Sequence, residues 1–253
     1  MTNTDPITTG LPSLDRLLDG GLRPGTLTVI AGQSQSGMTT MLDTIVCAAA
    51  FHANEPTVLV DLETEPAARG ARLWSALSGV PLSRVLHGGL TDAEVTDLAR
   101  VADLTGAATF WLSEDRTIPD LDAAVLGVHS STSGARLLAI DAMRMLSCES
   151  PGAAAAALAD LAVRRDVAVA ATTPLLWNAV GPLPAVDHLP SGVVEAADVV
   201  ILLRRPDLDG TTDRVGEVEV TVAKHRAGPT GSVVVAARFD RAQLCELVTD
   251  PVS

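Results

Sequence analysis

The chain has 253 residues, 47% of them apolar, with a formal charge of −13, no tyrosine, three phenylalanines and three tryptophans. That length and apolar content suit one large α/β domain over residues 1–253, and the acidic, aromatic-poor composition excludes a general cationic or stacking surface for nucleic acid. No apolar run of about eighteen residues and no basic-apolar leader occurs, so no membrane partner is expected and the expected location is cytoplasmic. Cys47, Cys148 and Cys245 lie far apart with no paired spacing, which suits small buried side chains better than a disulfide framework or a zinc site.

In chain order, turn residues around Thr9 to Gly25 bracket a short helix from Ser13 to Leu18. Leu27 to Ala31 reads as a buried strand, and Met41, Leu42, Ile45, Val46 and Ala49 recur at helical spacing, predicting a helix over Thr39 to Phe51. Thr57 to Leu62 is a near-continuous apolar run of strand length, followed by a helix that Pro66 opens and that runs to about Ser78. Thr91 with Glu94 forms a capping box for a helix through Leu104. Strands are predicted at Thr109 to Leu112 and Ser133 to Asp141, with a helix from about Pro119 to Ser130 between them. A helix over Gly152 to Arg165, a strand over Val167 to Thr172 and a proline-rich loop over Thr173 to Pro190 follow. Asp198 to Leu203 is the next strand, and Gly216 to Ala223 pairs with Ser232 to Ala237 around the turn Lys224 to Gly231. Strands alternating with helices and closing on a hairpin predict a mostly parallel twisted sheet flanked by helices, with an antiparallel C-terminal edge.

The stretch Gly32, Gln33, Ser34, Gln35, Ser36, Gly37, Met38, Thr39, Thr40 has the spacing of a phosphate-binding P-loop, with Met38 where that motif carries lysine. Glycines and a helix N-terminus supply backbone N–H donors to phosphate, and both are kept. The missing lysine removes a charge-assisted bond of about 1.5–3 kcal/mol, or ~10- to ~100-fold in nucleotide affinity. A glycine-rich turn without a ligand is the alternative these residues leave open. Glu63 and Asp141 each end an apolar strand, where a carboxylate serves a nucleotide site, a solvated loop or a helix cap.

Thr9-Gly10, Leu14-Asp15, Gly20-Gly21-Leu22 and Pro24-Gly25, the loop itself, Leu62-Glu63, Leu138 to Asp141, Ser191-Gly192 and Lys224 to Gly231 together resemble the C-terminal RecA-like ATPase domain of DnaB-type replicative helicases. The likeness covers nearly the whole chain, and the Lys-x-Arg-x-Gly-Pro-Thr-Gly turn is its most specific part. It implies a RecA-like P-loop NTPase core, with Glu63 activating the attacking water and Thr39 and Asp141 on Mg2+. Lys224 and Arg226 would reach a neighbouring subunit's γ-phosphate, and their spacing puts both on one face of an extended strand. Met38 departs from the family's pattern, as do Pro174 where the family has a γ-phosphate-sensing glutamine and Leu189 with Pro190 where it has a DNA-gripping Arg–Glu pair. The family's N-terminal domain and linker helix are expected to be absent. The resemblance with these departures implies a pseudo-ATPase or regulatory module that binds ATP and Mg2+ weakly and single-stranded DNA weakly or not at all. Its expected partner is another copy or a full-length DnaB-type relative. The alternative is an ATP-dependent DNA helicase acting on single-stranded DNA as a hexameric ring.

Overall fold

A strand that is apolar along both faces is stable only where both faces are covered. The computed structural model describes residues 4–108, 110–129, 134–176, 183–210 and 212–247. Its strands are β1 (Leu27–Gly32), β2 (Thr57–Asp61), β3 (Phe110–Ser113), β4 (Leu137–Asp141), β5 (Ala168–Pro174), β6 (Val199–Arg204), β7 (Glu217–His225), β8 (Gly231–Arg238) and β9 (Gln243–Glu246). Among the described residues they form one sheet in the order β3-β2-β4-β5-β1-β6-β7-β8-β9. Pairing is parallel from β3 to β6 and antiparallel from β6 to β9.

The helices are α1 (Pro12–Leu17), α2 (Met38–Val46), α3 (Pro66–Ser78), α4 (Leu82–His87), α5 (Asp92–Ala107), α6 (Ile118–His129), α7 (Pro151–Arg165) and α8 (Val193–Ala196). Because side chains alternate across a strand, each central strand feeds two cores. Ile30, Leu59 and Ala139 pack on one face with Leu14, Leu42 and Leu73 from α1, α2 and α3. Val29, Val60 and Ile140 pack on the other with Leu121, Leu158 and Val193 from α6, α7 and α8. In β7 only Val218, Val220 and Val222 are buried, the alternation of an antiparallel strand with one covered face.

The mostly parallel sheet with an antiparallel edge is as predicted, with shifts at the ends of elements. The loop helix begins at Met38, one residue before the expected Thr39, and continues past Val46 as a π-helical turn, Cys47–His52. The capping box forms, with Thr91 and Glu94 each bonded to the other's backbone. The proline-rich segment is not all loop: Thr173 and Pro174 extend β5, which pairs Pro174 with Gly32, and Val186–His188 makes a 3-10 turn. Helices α4 and α8 and strand β9 are not predicted, since α4 buries no residue that would make an apolar stripe and α8 and β9 are four residues long each. Thr109, Ser130 and Ser133, expected ends of elements, lie outside the described residues.

Candidate nucleotide site

Open α/β sheets hold ligands beyond the C-terminal ends of their parallel strands. Here Gly32 ends β1, Asp61 ends β2, Asp141 ends β4 and Thr172 to Pro174 end β5. Just beyond these ends lies a crevice of about 540 Å³ whose lining includes Met38, Thr39, Glu63, Asp141, Pro174 and Phe239. Loop, strand ends and the residues proposed for the metal and the attacking water are thus brought together; Lys224 and Arg226 are not.

The loop is tight. A Cβ on Gly32 would lie 2.2 Å from Ser36 Oγ, so only glycine fits there, and the Ser36 amide donates to the Gln33 carbonyl at 3.1 Å. Gln35 and Gly37 turn the chain with φ of +66° and +99°. Gly37 is the N-cap of α2 and no side chain caps the helix, which leaves its first N–H groups uncapped where Gly37, Met38 and Thr39 line the crevice. Ser36 Oγ is buried with no hydrogen-bond partner among the described residues, a spare donor inside the loop. The cradle fits a phosphate group. Met38 brings no charge to it; its side chain is half-buried and packs on the core beneath α2.

Beneath the loop lies a buried ionic cluster that the sequence reading missed. Helix α3 docks through the stripe Arg69, Leu73 and Ala76, and this places the Arg69 guanidinium, fully buried, among Asp43 of α2, Asp61 and Asp141. Its Nη1 lies 2.6 Å from Asp141 Oδ2 and 3.1 Å from Asp61 Oδ2, and its Nη2 lies 3.0 Å from Asp43 Oδ1. The second oxygen of Asp141 accepts from Thr172 Oγ1 at 2.6 Å. One turn along α3, Arg72 pairs with Asp43 at 2.7 Å and reaches Thr40 Oγ1 at 3.3 Å. Burial pushes the Asp43 carboxyl up against the pull of Arg69 and Arg72. Burial also pushes the Cys47 thiol up, which keeps it a packing residue rather than a nucleophile.

At the mouth of the crevice, Glu63 is ion-paired with Arg144, which the turn after β4 supplies. Arg205 stacks on Phe239 with its guanidinium carbon 4.4 Å from the ring centroid, pairs with Asp207 at 2.6 Å and donates to the Gln35 carbonyl at 3.1 Å. Cations therefore reach the crevice from three elements, each already matched with a carboxylate. Against Mg2+ the residues do not fit as they stand, because the buried Arg69 guanidinium already places a positive charge 2.6 Å from Asp141 and repels a second cation there. Among the described residues no group of three or more His, Cys, Asp or Glu could hold a metal.

Lys224 and Arg226 converge on one segment, and it belongs to this same chain. Lys224 Nζ donates to the Val194 and Ala197 carbonyls at 2.6 Å each, capping the C-terminal end of α8. Arg226 pairs with Asp198 at 2.6 Å and leaves 59% of its side chain exposed. Gly228 packs under the His225 ring, where a Cβ would lie 2.3 Å from it and push the ring aside. The Thr9-Gly10 element also has a structural account. Asp15 accepts from Thr8 Oγ1 and Thr9 Oγ1 at 2.6 Å each, and Gly10 packs where a Cβ would meet Ala48 at 2.8 Å. Leu189 is buried in the second core, as a packing residue.

Sheet order, helices on both faces and a glycine loop between β1 and α2 define the RecA-like P-loop fold. A solved structure of an ATPase domain superimposes with a TM-score of 0.88 over 97% of this chain and 92% of that one at 19% identity. A DnaB-like replicative helicase, solved in work on its interactions with primase, gives 0.87 over 97% of this chain and 63% of that one, also at 19% identity. Residues 6–175 match the family described as DnaB-like helicase C terminal domain, and the chain belongs to that family. It is 29% identical over 249 residues to the replicative DNA helicase DnaB of Leifsonia xyli subsp. xyli (strain CTCB07), covering 91% of this chain and 53% of that protein. With the DnaB of Mycobacterium leprae (strain TN) it shares 30% identity over 199 residues, covering 71% of this chain and 32% of that protein. The chain thus spans about half of the first of these relatives and a third of the second. Among the described residues no helix is long and apolar enough to cross a membrane.

Proposed function

We propose that this chain acts as a single RecA-like domain over residues 1–253 whose ATP site is degenerate: a pseudo-ATPase or regulatory module of the DnaB type. The observation that carries this reading is a triple loss of catalytic charge. Met38 is uncharged, Asp141 is matched by Arg69, and Glu63 is matched by Arg144. A loop lysine, a free metal-binding carboxylate and a free base are the groups that phosphoryl transfer to water relies on. The backbone cradle persists, so ATP is expected to bind weakly and not to turn over.

Labelled ATP titrated against the protein with Mg2+, followed by a phosphate-release assay, tests this. The wild type should bind weakly or not at all and release no phosphate, while Met38→Lys should gain ~10- to ~100-fold in affinity. An affinity that Met38→Lys leaves unchanged would sink the phosphate-loop reading. Steady phosphate release by the wild type would favour the alternative, an ATP-driven helicase on single-stranded DNA. The net charge of −13 and the apolar Leu189 support little DNA binding at physiological salt, and a tight, steeply salt-dependent anisotropy titration with an oligonucleotide would contradict that.

The Lys224 to Gly231 turn supports a role for this domain beside another copy or a full-length DnaB-type relative. With Lys224 capping α8, exposed Arg226 is the cation that can reach outward. Arg226→Ala should therefore weaken self-association in sedimentation, or stimulation of an intact relative's ATPase. If it changes neither, the turn is structural only.

A further inference from the structure

Asp61 and Asp141 are cross-strand partners in the β2–β4 register, so two carboxylates lie side by side at the C-terminal edge of the sheet, with Asp43 facing them from α2. Like charges in that position repel, and a buried cluster of carboxylates is stable only if it takes up protons or captures a cation. The cation here is part of the chain: Arg69 Nη1 bridges the two strand ends at 3.1 and 2.6 Å.

We infer that Arg69 is the permanent counter-ion of Asp141, standing in for the divalent cation that a P-loop ATPase places beside that carboxylate, so that any phosphate ligand of this loop binds without a metal. The metal half of this inference stands alone, and the ligand half rests on the weak nucleotide site proposed above.

Two observations make the arrangement permanent rather than incidental. Arg69 enters on the buried stripe of α3, so withdrawing it means undocking the helix. The other oxygen of Asp141 is held by Thr172, whose hydroxyl also accepts from the Ala142 amide at 2.7 Å. Ala142 itself sits at φ +61°, a conformation costly for a residue with a Cβ, and that bond helps to hold it.

Thermal unfolding without nucleotide tests this, in Mn2+ and in EDTA, on the wild type, Asp141→Asn and Arg69→Met. Mn2+ should leave the wild-type Tm unmoved. Asp141→Asn should lower Tm by about 10 °C, because it strips a buried arginine of its closest partner. At a carboxylate site built for a metal the same change relieves repulsion and raises the Tm of the metal-free protein. Arg69→Met should fail to fold in EDTA, or fold only with Mn2+ present. A wild-type Tm raised by Mn2+ and no longer raised after Asp141→Asn would overturn the inference, as would Asp141→Asn or Arg69→Met at wild-type stability in EDTA. A parallel ATP titration separates this inference from the reading it deepens. Equal affinity in Mg2+ and EDTA is expected, and binding in Mg2+ alone would overturn the metal-free site while leaving the phosphate loop intact. Absence of ATP binding in both would sink the ligand half, and Met38→Lys then decides the phosphate-loop reading separately, while the unfolding results still decide the metal half.

Discussion

Two of the arginine–carboxylate pairs at the crevice, one on its floor and one at its mouth, differ in what surrounds them. On the floor, Arg69 and Asp141 are 0% and 4% exposed in their side chains; at the mouth, Arg144 and Glu63 are 44% and 42% exposed. Water screens the outer pair, so it is worth little to stability and exchanges freely. The inner pair is buried, so loss of a single partner strands a charge in the core. The same chemistry is therefore fixed architecture below and a removable cover above. A phosphate ligand can compete for Arg144, whereas Arg69 is out of its reach.

The largest effect should come from the floor. Asp61 bonds Arg69 and also accepts from the amides of Glu63 and Thr64 at 3.0 and 2.9 Å, which shapes the turn that carries Glu63. Asp61→Ala removes a counter-ion and orphans two amides, at a cost of about 3–5 kcal/mol. Asp61→Asn keeps an acceptor for the turn and should cost less. Urea melts of the two variants measure this, and equal, small losses would show that the floor is no more rigid than the mouth.

Asp43 should be the exception on the floor. Its carboxyl is pushed up by burial, against Arg69 and Arg72, from an ordinary 3.8. A raised carboxyl contributes stability that is full below the unfolded value and is lost as pH rises through the folded one. Asp43→Asn is neutral at every pH and escapes that loss. The variant should cost only ~1–2 kcal/mol at neutral pH, and its Tm relative to wild type should move in its favour as pH rises from about 4 to 8. A difference that stays flat, or turns against the variant, would make Asp43 an obligatory anion like Asp141.

This contrast between floor and mouth also sets how much was legible in sequence. Strand β1, the loop, the Pro66 start of α3 and the Thr91 capping box rest on local chemistry, and each was found to within a residue or two. The floor rests on contacts between α2, α3, β2 and β4, and periodicity assigns a residue to a face without saying what lies opposite. Its trace was present all the same. Asp43 interrupts the apolar stripe of α2, Asp61 closes an apolar strand, and Arg69 lies four residues before the buried Leu73. Charges at core positions on separate elements are the signal of an internal ion cluster, because none is tolerated there alone. Lys224 shows the opposite limit, since its motif pointed outward while its ammonium is bound to carbonyls of its own chain.

The smallest change in stability should come from the mouth. Arg144→Ala removes the partner of Glu63 without uncovering any buried charge, so the loss should stay below about 1 kcal/mol and fall further as salt rises. Stability alone would then make the pair look idle, and a second readout shows what it does. With Met38→Lys in the background to restore the loop charge, Arg144→Ala leaves Glu63 free to act on water. Phosphate release should rise above that of Met38→Lys alone if the outer pair is part of what silences the site. If release stays at zero in the double variant, the block lies on the floor, where Arg69 holds Asp141, and the cover contributes nothing to it. If instead Arg144→Ala lowers Tm as much as Asp61→Ala does, the two pairs are energetically alike despite their different exposure, and the distinction between fixed floor and removable cover fails.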